Sequence, residues 1–391
     1  MPPAARPTAP PDKRPCFAVC APGLEAVTAR ELKGLGLAGA IGPGGISFTA
    51  GQRDLYRANL HARTASRFLV RAGAFYAAAF SELRQKAGRV PWEHYLRPGQ
   101  SVAIKATCHK SKLYHSGAVE ERVAGAIADR LGQAPSVESG SEEAETPAAQ
   151  LVLVRLVRDQ CTISIDSSGA LLHQRGYRLA GGKAPLRETL AAGMLLAAEW
   201  DARSPLLDPF CGSGTIAIEG ALLARRLAPG RGRSFAFMDW PDYEPALWTG
   251  LLEAAQLEAE AAAAPPIIQA SDRDAGAIAA AQANAQRAGV ADAIEFTHRA
   301  ISAIEPPAGP GWVVTNPPYG VRLEGRDDLR NLYAQFGNTL RLRCPGWRAA
   351  FLCASLALAR ATGLPLDASQ TLPLVNGGLR VQLFQARVAA S

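Results

Sequence analysis

Leu206–Leu222 reads LLDPFCGSGTIAIEGAL, and its residue types run strand, loop, helix. Leu206 and Leu207 close a short apolar run that ends in an acid at Asp208. A glycine-rich turn follows, and then an apolar helical pattern. Gly212 and Gly214 put no Cβ between the backbone and a ligand. The helix after them aims its unpaired N–H groups at whatever occupies the turn. Such a loop suits a nucleotide-like cofactor.

The spacing narrows the choice. A dinucleotide fingerprint asks for G-x-G-x-x-G and an acid about 20 residues on. Here the next acid that ends an apolar run is Asp272, in Ile267–Asp272, and no Walker lysine follows the glycines. A cofactor without phosphate fits better, namely S-adenosylmethionine, with its methionine part over Gly212–Gly214 and its ribose hydroxyls on Asp272. A second stretch, Gly311–Gly320 (GWVVTNPPYG), is an apolar strand stopped by a rigid turn. Proline fixes φ and removes N–H donors. The carbonyls of Asn316 and Pro317 are therefore expected to face a pocket with the Asn316 amide oxygen, an acceptor cluster for an exocyclic NH2. Tyr319 offers a flat face for a base. The two stretches together predict an amino-methyltransferase.

These motifs, DPFCGSG at 208–214, SDRD at 271–274 and NPPYG at 316–320, resemble those of class I S-adenosylmethionine-dependent methyltransferases that modify nitrogen. QRGYR at 174–178 and APLRETL at 184–190 are similar to THUMP-domain RNA methyltransferases. The bacterial subgroup that makes N2-methylguanosine in large-subunit (23S) ribosomal RNA is the most similar. The resemblance implies cofactor contacts from Asp208, Pro209, Phe210, Gly212, Ser213, Gly214, Thr215, Asp272, Arg273 and Asn316. It also brings Glu188 and Thr189 to the methionine end, and Ala300 with Ile301 to an adenine wall. Asn316, Pro317, Pro318 and Tyr319 are the expected catalytic residues. Three alternatives stay open: a tRNA guanosine-N2 methyltransferase, a DNA adenine-N6 methyltransferase, and an RNA-binding assembly factor without activity.

A chain of 391 residues with 48% apolar content exceeds one ordinary core, so several domains are expected. Residues 1–15 read as a disordered tail with no secretory core, and a cytoplasmic protein is expected. Seven scattered cysteines lack paired C-x-x-C spacing, so no metal site is expected. The net charge of +7, with arginine far above lysine, is compatible with a nucleic-acid partner.

In chain order, residues 16–72 alternate strands and helices in a ferredoxin-like pattern. Arg63, Arg67 and Arg71 recur every fourth residue there and read as a solvated rim. Residues 73–168 resemble a THUMP domain, interrupted by an acidic insertion at 135–150. Between its strand 101–108 and helix 118–131, Lys110, Ser111 and Lys112 offer donors for RNA phosphates. Arg175 and Arg178 fall at the seam, where they touch RNA or staple domains. Residues 174–391 form the expected Rossmann-like catalytic domain, with Arg231 and Arg233 in a basic loop toward RNA. Asn376-Gly377-Gly378 signals a terminal antiparallel hairpin closing the parallel sheet. The fold class is thus α/β, a class I methyltransferase domain after a ferredoxin-like plus THUMP α+β region. A monomer is expected.

Overall fold

The computed structural model describes residues 13–138, 149–178, 186–319 and 326–390. They form two compact units that do not follow chain order. One contains Met1–Val19, Leu32–Leu172 and Arg233–Leu252; the other contains Cys20–Glu31, His173–Gly232 and Glu253–Ser391. Most of the expected tail, and residues 139–148 of the expected insertion, lie outside the described residues.

The first unit is built on β1 (Arg14–Cys20), β2 (Ala40–Gly42), β3 (Gly45–Ala50), α2 (Gln52–His61) and β4 (Ala65–Tyr76), while α1 (Glu25–Gly34), which follows β1 in the chain, belongs for most of its length to the second unit. It continues through α3 (Phe80–Ala87), β5 (Ser101–His109), α4 (Ser116–Leu131), β6 (Ser136–Val137), β7 (Gln150–Val157) and β8 (Gln160–Asp166). Among the described residues these strands form one sheet in the order β2-β3-β1-β4-β8-β7-β5-β6. The two α+β modules read from the sequence therefore share a sheet. Long strand β4 joins them by pairing antiparallel with β8, from Leu69↔Asp166 to Tyr76↔Gln160. Arg158 and Asp159 both take positive φ, as the tight β7–β8 hairpin requires.

Arg63 and Arg67 are not a solvated rim. They are 7% and 5% exposed, and Arg67 donates to the buried Asp166 at 3.0 Å. Strand β4 carries Arg67 into the interior beside the buried Phe68, Leu69 and Val70, a placement that a four-residue spacing does not encode. The segment 233–252 contributes an aromatic cluster to this unit. Tyr56 stacks on Phe237 with ring centroids 4.1 Å apart, and Trp240 donates to Gln150 at 2.8 Å.

The second unit contains α5 (Glu188–Ala197), β9 (Leu206–Asp208), α6 (Thr215–Ala224), β10 (Ile268–Asp272), α8 (Ala275–Ala288), β11 (Ile294–His298) and β12 (Trp312–Thr315). α7 (Pro245–Glu260) bridges the chain between α6 and β10. α9 (Arg326–Arg343), β13 (Arg348–Cys353), α10 (Leu356–Ala361), β14 (Leu372–Asn376) and β15 (Leu379–Arg387) complete it. The sheet order is β11-β10-β9-β12-β13-β15-β14. Strand β15 pairs antiparallel with both β13 and β14, while the pairs from β11 to β13 are parallel. The order reverses beside β9, where β10 leaves on one side and β12 on the other. A doubly wound sheet opens its ligand crevice at that point, beyond the carboxyl ends of the strands. No helix among the described residues is long and apolar enough to cross a membrane.

Helix α6 is buried along Thr215–Leu222, including the charged Glu219 at 0% exposure. A buried carboxylate must be matched. Arg175 forms an ion pair with one of its oxygens, and the buried Tyr177 hydroxyl donates to the other at 2.9 Å. Glu219→Ala removes the carboxylate opposite a buried guanidinium and should cost about 3–5 kcal/mol of stability. Urea denaturation of the variant against the parent measures that loss, and a change within experimental error would refute the role.

Candidate active site

Three strand ends meet at the crevice. β9 ends in Asp208, β10 in Asp272, and β12 delivers Thr315 and Asn316. In register, Asp208 lies level with Ala270 and Val313 with Leu207, so the acid of β10 and the end of β12 reach beyond β9. The Thr315 hydroxyl donates to Asp208 Oδ1 at 2.6 Å, tying β12 to β9 where the loops diverge. The same oxygen takes the Phe210 N–H at 3.4 Å and so starts the turn. Burial pushes the Asp208 carboxyl up to about 7; those hydrogen bonds oppose the shift, and the nearby Asp272 charge adds to it.

The glycine turn is held from three sides. Asp272 Oδ2 accepts the Gly212 N–H at 2.9 Å, and Ser271 O accepts the Cys211 N–H at 3.0 Å. Asn284 of α8 donates to Ser213 O at 3.0 Å. Gly214 has φ +83°, and a Cβ there would stand 2.9 Å from Ala281 Cβ, so only glycine lets α6 and α8 approach. At Gly212 a Cβ would meet nothing within 4 Å, because that side opens to the cavity. Helix α8 carries its own signal, with Asp274 capping the N–H groups of Gly276 and Ala277.

The cavity measures about 540 Å³, within the roughly 300–1,000 Å³ of small-molecule sites. Of the expected cofactor residues, Asp208, Phe210, Gly212, Ser213, Thr215, Asp272, Arg273 and Asn316 line it. Pro209 and Gly214 are buried in the turn behind them. Pro318 also reaches the cavity, whereas Pro317 is buried outside its lining. Tyr319 is half-buried against the core, with its hydroxyl taking a hydrogen bond from Asn376 at 2.7 Å. The Asn316 Oδ1 atom is buried and has no hydrogen-bond partner among the described residues. Such an atom costs about 1–3 kcal/mol unless a donor reaches it. Gly320 and residues 179–185, including part of the APLRETL motif, lie outside the described residues.

Glu188 and Thr189 start α5 and are buried, but they do not line the cavity. Glu188 pairs with Arg178 at 3.4 Å, and Arg178 also donates to Thr215 at 2.7 Å. Burial pushes Glu188 up to about 7 despite the Arg178 charge. The expected adenine wall is absent from the cavity lining. Ala300 is exposed, and Ile301 is packed into the apolar cluster with Leu207 and Tyr333. The loop after β11 turns its apolar residue inward to the core, a choice that its sequence does not reveal.

Four arginines expected at RNA have other partners. Arg175 is paired with Glu219, and Arg178 with Glu188 and Thr215. Arg231 donates to Ala288 O at 2.7 Å, and Arg233 to the carbonyls of Ala170 and Leu171. Their guanidinium donors are directed into their own units, because buried acids and carbonyls compete for them more strongly than solvent does. Lys110 and Lys112 are exposed in the β5–α4 loop, while Ser111 braces that loop by accepting the Asp159 N–H at 3.0 Å. Sequence reading missed Thr315, Asn284 and the lining residues Leu186, Ala277, Ala280 and Leu332. Only α8 carried a readable signal, in its alanine-rich 3.6 period after Asp274.

Residues 175–383 match the family described as "RMKL-like, methyltransferase domain". Residues 15–69 match the RlmL ferredoxin-like domain and 77–166 the THUMP domain. "Putative RNA methyltransferase slr0064" of Synechocystis is 36% identical, over 95% of this chain and 96% of its own length. "Ribosomal RNA large subunit methyltransferase K/L" of Syntrophotalea carbinolica is 38% identical, over 95% of this chain. The chain spans about half of that relative's length, 53%. The crystal structure of SMU.472, "a putative methyltransferase complexed with SAH", superposes with a TM-score of 0.86 at 29% identity, covering 98% of this chain and 99% of that one.

The two raised acids fix a pH signature. A carboxyl that ordinarily titrates near 4 and is raised to about 7 on folding holds its proton more tightly in the folded chain. Its contribution is then full below about pH 4 and is lost as pH rises toward 7. Thermal denaturation of the ligand-free chain should show Asp208→Asn gaining on the parent as pH rises from 5 to 7.5. A difference that does not change with pH would remove the assignment.

Proposed function

The chain belongs to the RMKL-like methyltransferase family, and from that premise we propose that it methylates the exocyclic N2 of a guanosine in large-subunit ribosomal RNA. Its cofactor is S-adenosylmethionine, which when bound supplies an already activated methyl group. The cavity fits that cofactor. Beside the reluctantly ionised Asp208, its lining includes Asp272 and Asp274 against a single arginine, an acidic balance suited to a ligand that carries positive charge. In this reading Asp272 and the turn Phe210–Ser213 bind the cofactor's ribose and methionine parts, and Arg273 flanks the mouth.

The observation that carries the reading is the buried Asn316 Oδ1 at the end of β12, which has no hydrogen-bond partner among the described residues. A guanine 2-amino group is a poor nucleophile because its lone pair is delocalised into the ring. An acceptor fixed against its N–H orients that lone pair and stabilises the positive charge that grows on nitrogen. Pro317 and Pro318 hold the acceptor rigid, since neither can rotate about φ. No strong base is required: positioning supplies the rate, and the proton leaves to water after transfer. Exposed Lys110 and Lys112 in the THUMP region are compatible with an RNA substrate, as are the relatives named for ribosomal RNA. A target base held in a helix has to leave it for its 2-amino group to reach Asn316.

Two tests follow from this assignment. Tritiated methyl transfer to unmodified large-subunit ribosomal RNA, to tRNA and to DNA, followed by nucleoside mass spectrometry, should yield N2-methylguanosine in ribosomal RNA alone. Label confined to tRNA or to DNA adenine would overturn the substrate. Asn316→Ala should lower kcat by about 10²–10³-fold with cofactor affinity largely intact, whereas Asp272→Ala should weaken cofactor binding by about tenfold or more. Calorimetry with the cofactor separates the two effects, and unchanged affinity in Asp272→Ala would discard the ribose role.

A further inference from the structure

A second cavity lies in the same unit, away from the residues assigned to cofactor. It measures about 490 Å³, and its walls come from Pro22 and Gly23 before α1, Leu356 at the start of α10, and Pro373, Val375 and Arg380 on the terminal hairpin. The groove is rigidly built. Gly23 has φ +93° and packs so closely that a Cβ would stand 1.8 Å from Pro373 O. The hairpin turn places Gly377 and Gly378 at positive φ, which fixes the Val375↔Arg380 pairing.

Its chemistry is apolar with one charge. Leu356 and Val375 are 46% and 37% exposed and present apolar surface to the groove. Arg380 is the one ionisable residue in the lining, and it has no ion-pair partner among the described residues. Asn376, two residues beyond the groove's Leu374 and so on the same face of that strand, donates to the Tyr319 hydroxyl at 2.7 Å.

We infer that this groove binds one unstacked nucleobase of the RNA substrate, next to the extruded target, with Arg380 on its phosphate. This rests on the proposed RNA substrate. An apolar wall of Pro, Leu and Val covers the face of a base, which has little affinity for water. A lone arginine with no acid nearby matches the phosphate that every nucleotide carries. Extruding a target disrupts the stacking of its neighbour, and a groove for that neighbour repays part of the unstacking cost. An apolar peptide would satisfy the walls but leave Arg380 without a complement.

The test uses the full chain and a short single-stranded RNA containing 4-thiouridine. Ultraviolet crosslinking followed by peptide mass spectrometry should place adducts on residues 22–23, 354–356 and 373–382. Leu356→Asp and Arg380→Glu should each weaken RNA binding about tenfold by fluorescence anisotropy, a loss of about 1.4 kcal/mol. Cofactor affinity should stay unchanged and so report an intact fold. Both sites are exposed, and an acid at the first turn of α10 suits a helix start. Adducts confined to other segments, or RNA affinity unchanged in both variants, would overturn the inference. So would a dimer that Leu356→Asp dissociates without loss of RNA affinity. Failure of the proposed function reads differently: the parent chain would crosslink as described yet transfer no methyl group to ribosomal RNA.

Discussion

The hydrogen bond from Thr315 to Asp208 sets the geometry on which the rest of the site depends. A parallel sheet has one place where adjacent loops diverge, and here it lies between β9 and β12. Divergence makes a crevice but also leaves two strand ends free to drift apart. A 2.6 Å bond between their side chains closes that freedom at the base of the crevice. Above it the glycine turn leaves β9 and the Asn-Pro-Pro-Tyr turn leaves β12, so this bond, added to the backbone pairing of the two strands, holds the glycine turn and Asn316 at a set separation. The cost is a carboxyl buried where it ionises reluctantly.

Beneath the glycine turn, charge is managed by pairing rather than by exposure. Glu219 and Glu188 enter the interior on α6 and α5, and Arg175 and Arg178 follow them. Arg178 continues to Thr215, the first residue of α6, and so steadies the helix whose N-terminus faces the cavity. A buried ion pair contributes little net stability compared with apolar packing, but it resists rearrangement, because either partner alone is costly. Rigidity of that kind matters where a loop must present backbone groups to a ligand within a fraction of an ångström.

The parts of the fold legible in the sequence were those in which a residue type answers a local backbone demand. Glycines at 212 and 214, prolines at 317 and 318, and Asn376-Gly377-Gly378 each specify a turn on their own, and the strands between them follow from apolar runs. Long-range partnerships left no such mark. Nothing in the segment around Arg67 announces Asp166, ninety-nine residues away, and nothing in QRGYR tells a phosphate ligand from a strut under α6. Thr315 reads as one more strand residue, since its role exists only once β9 is beside it. Ala300 is a different case: its loop position was assigned by resemblance, and the chain there turns Ile301 to the core and leaves Ala300 exposed, outside the cavity lining.

For the proposed guanosine substrate, the Asn316 oxygen, unpartnered among the described residues, bears on which atom takes the methyl group. A buried acceptor is retained at a cost of about 1–3 kcal/mol, and a ligand that brings a donor removes that cost. Guanine offers a donor at its 2-amino group, whereas its N7 presents a lone pair and no proton. With the amide oriented as it stands, N7 would bring two acceptors face to face, a repulsive arrangement. An exocyclic amine meets the same oxygen with an N–H and leaves its lone pair directed away, toward an incoming methyl group. The buried oxygen at the end of β12 thus favours N2 over N7 by the sign of the interaction, before any contact with the rest of the base is considered.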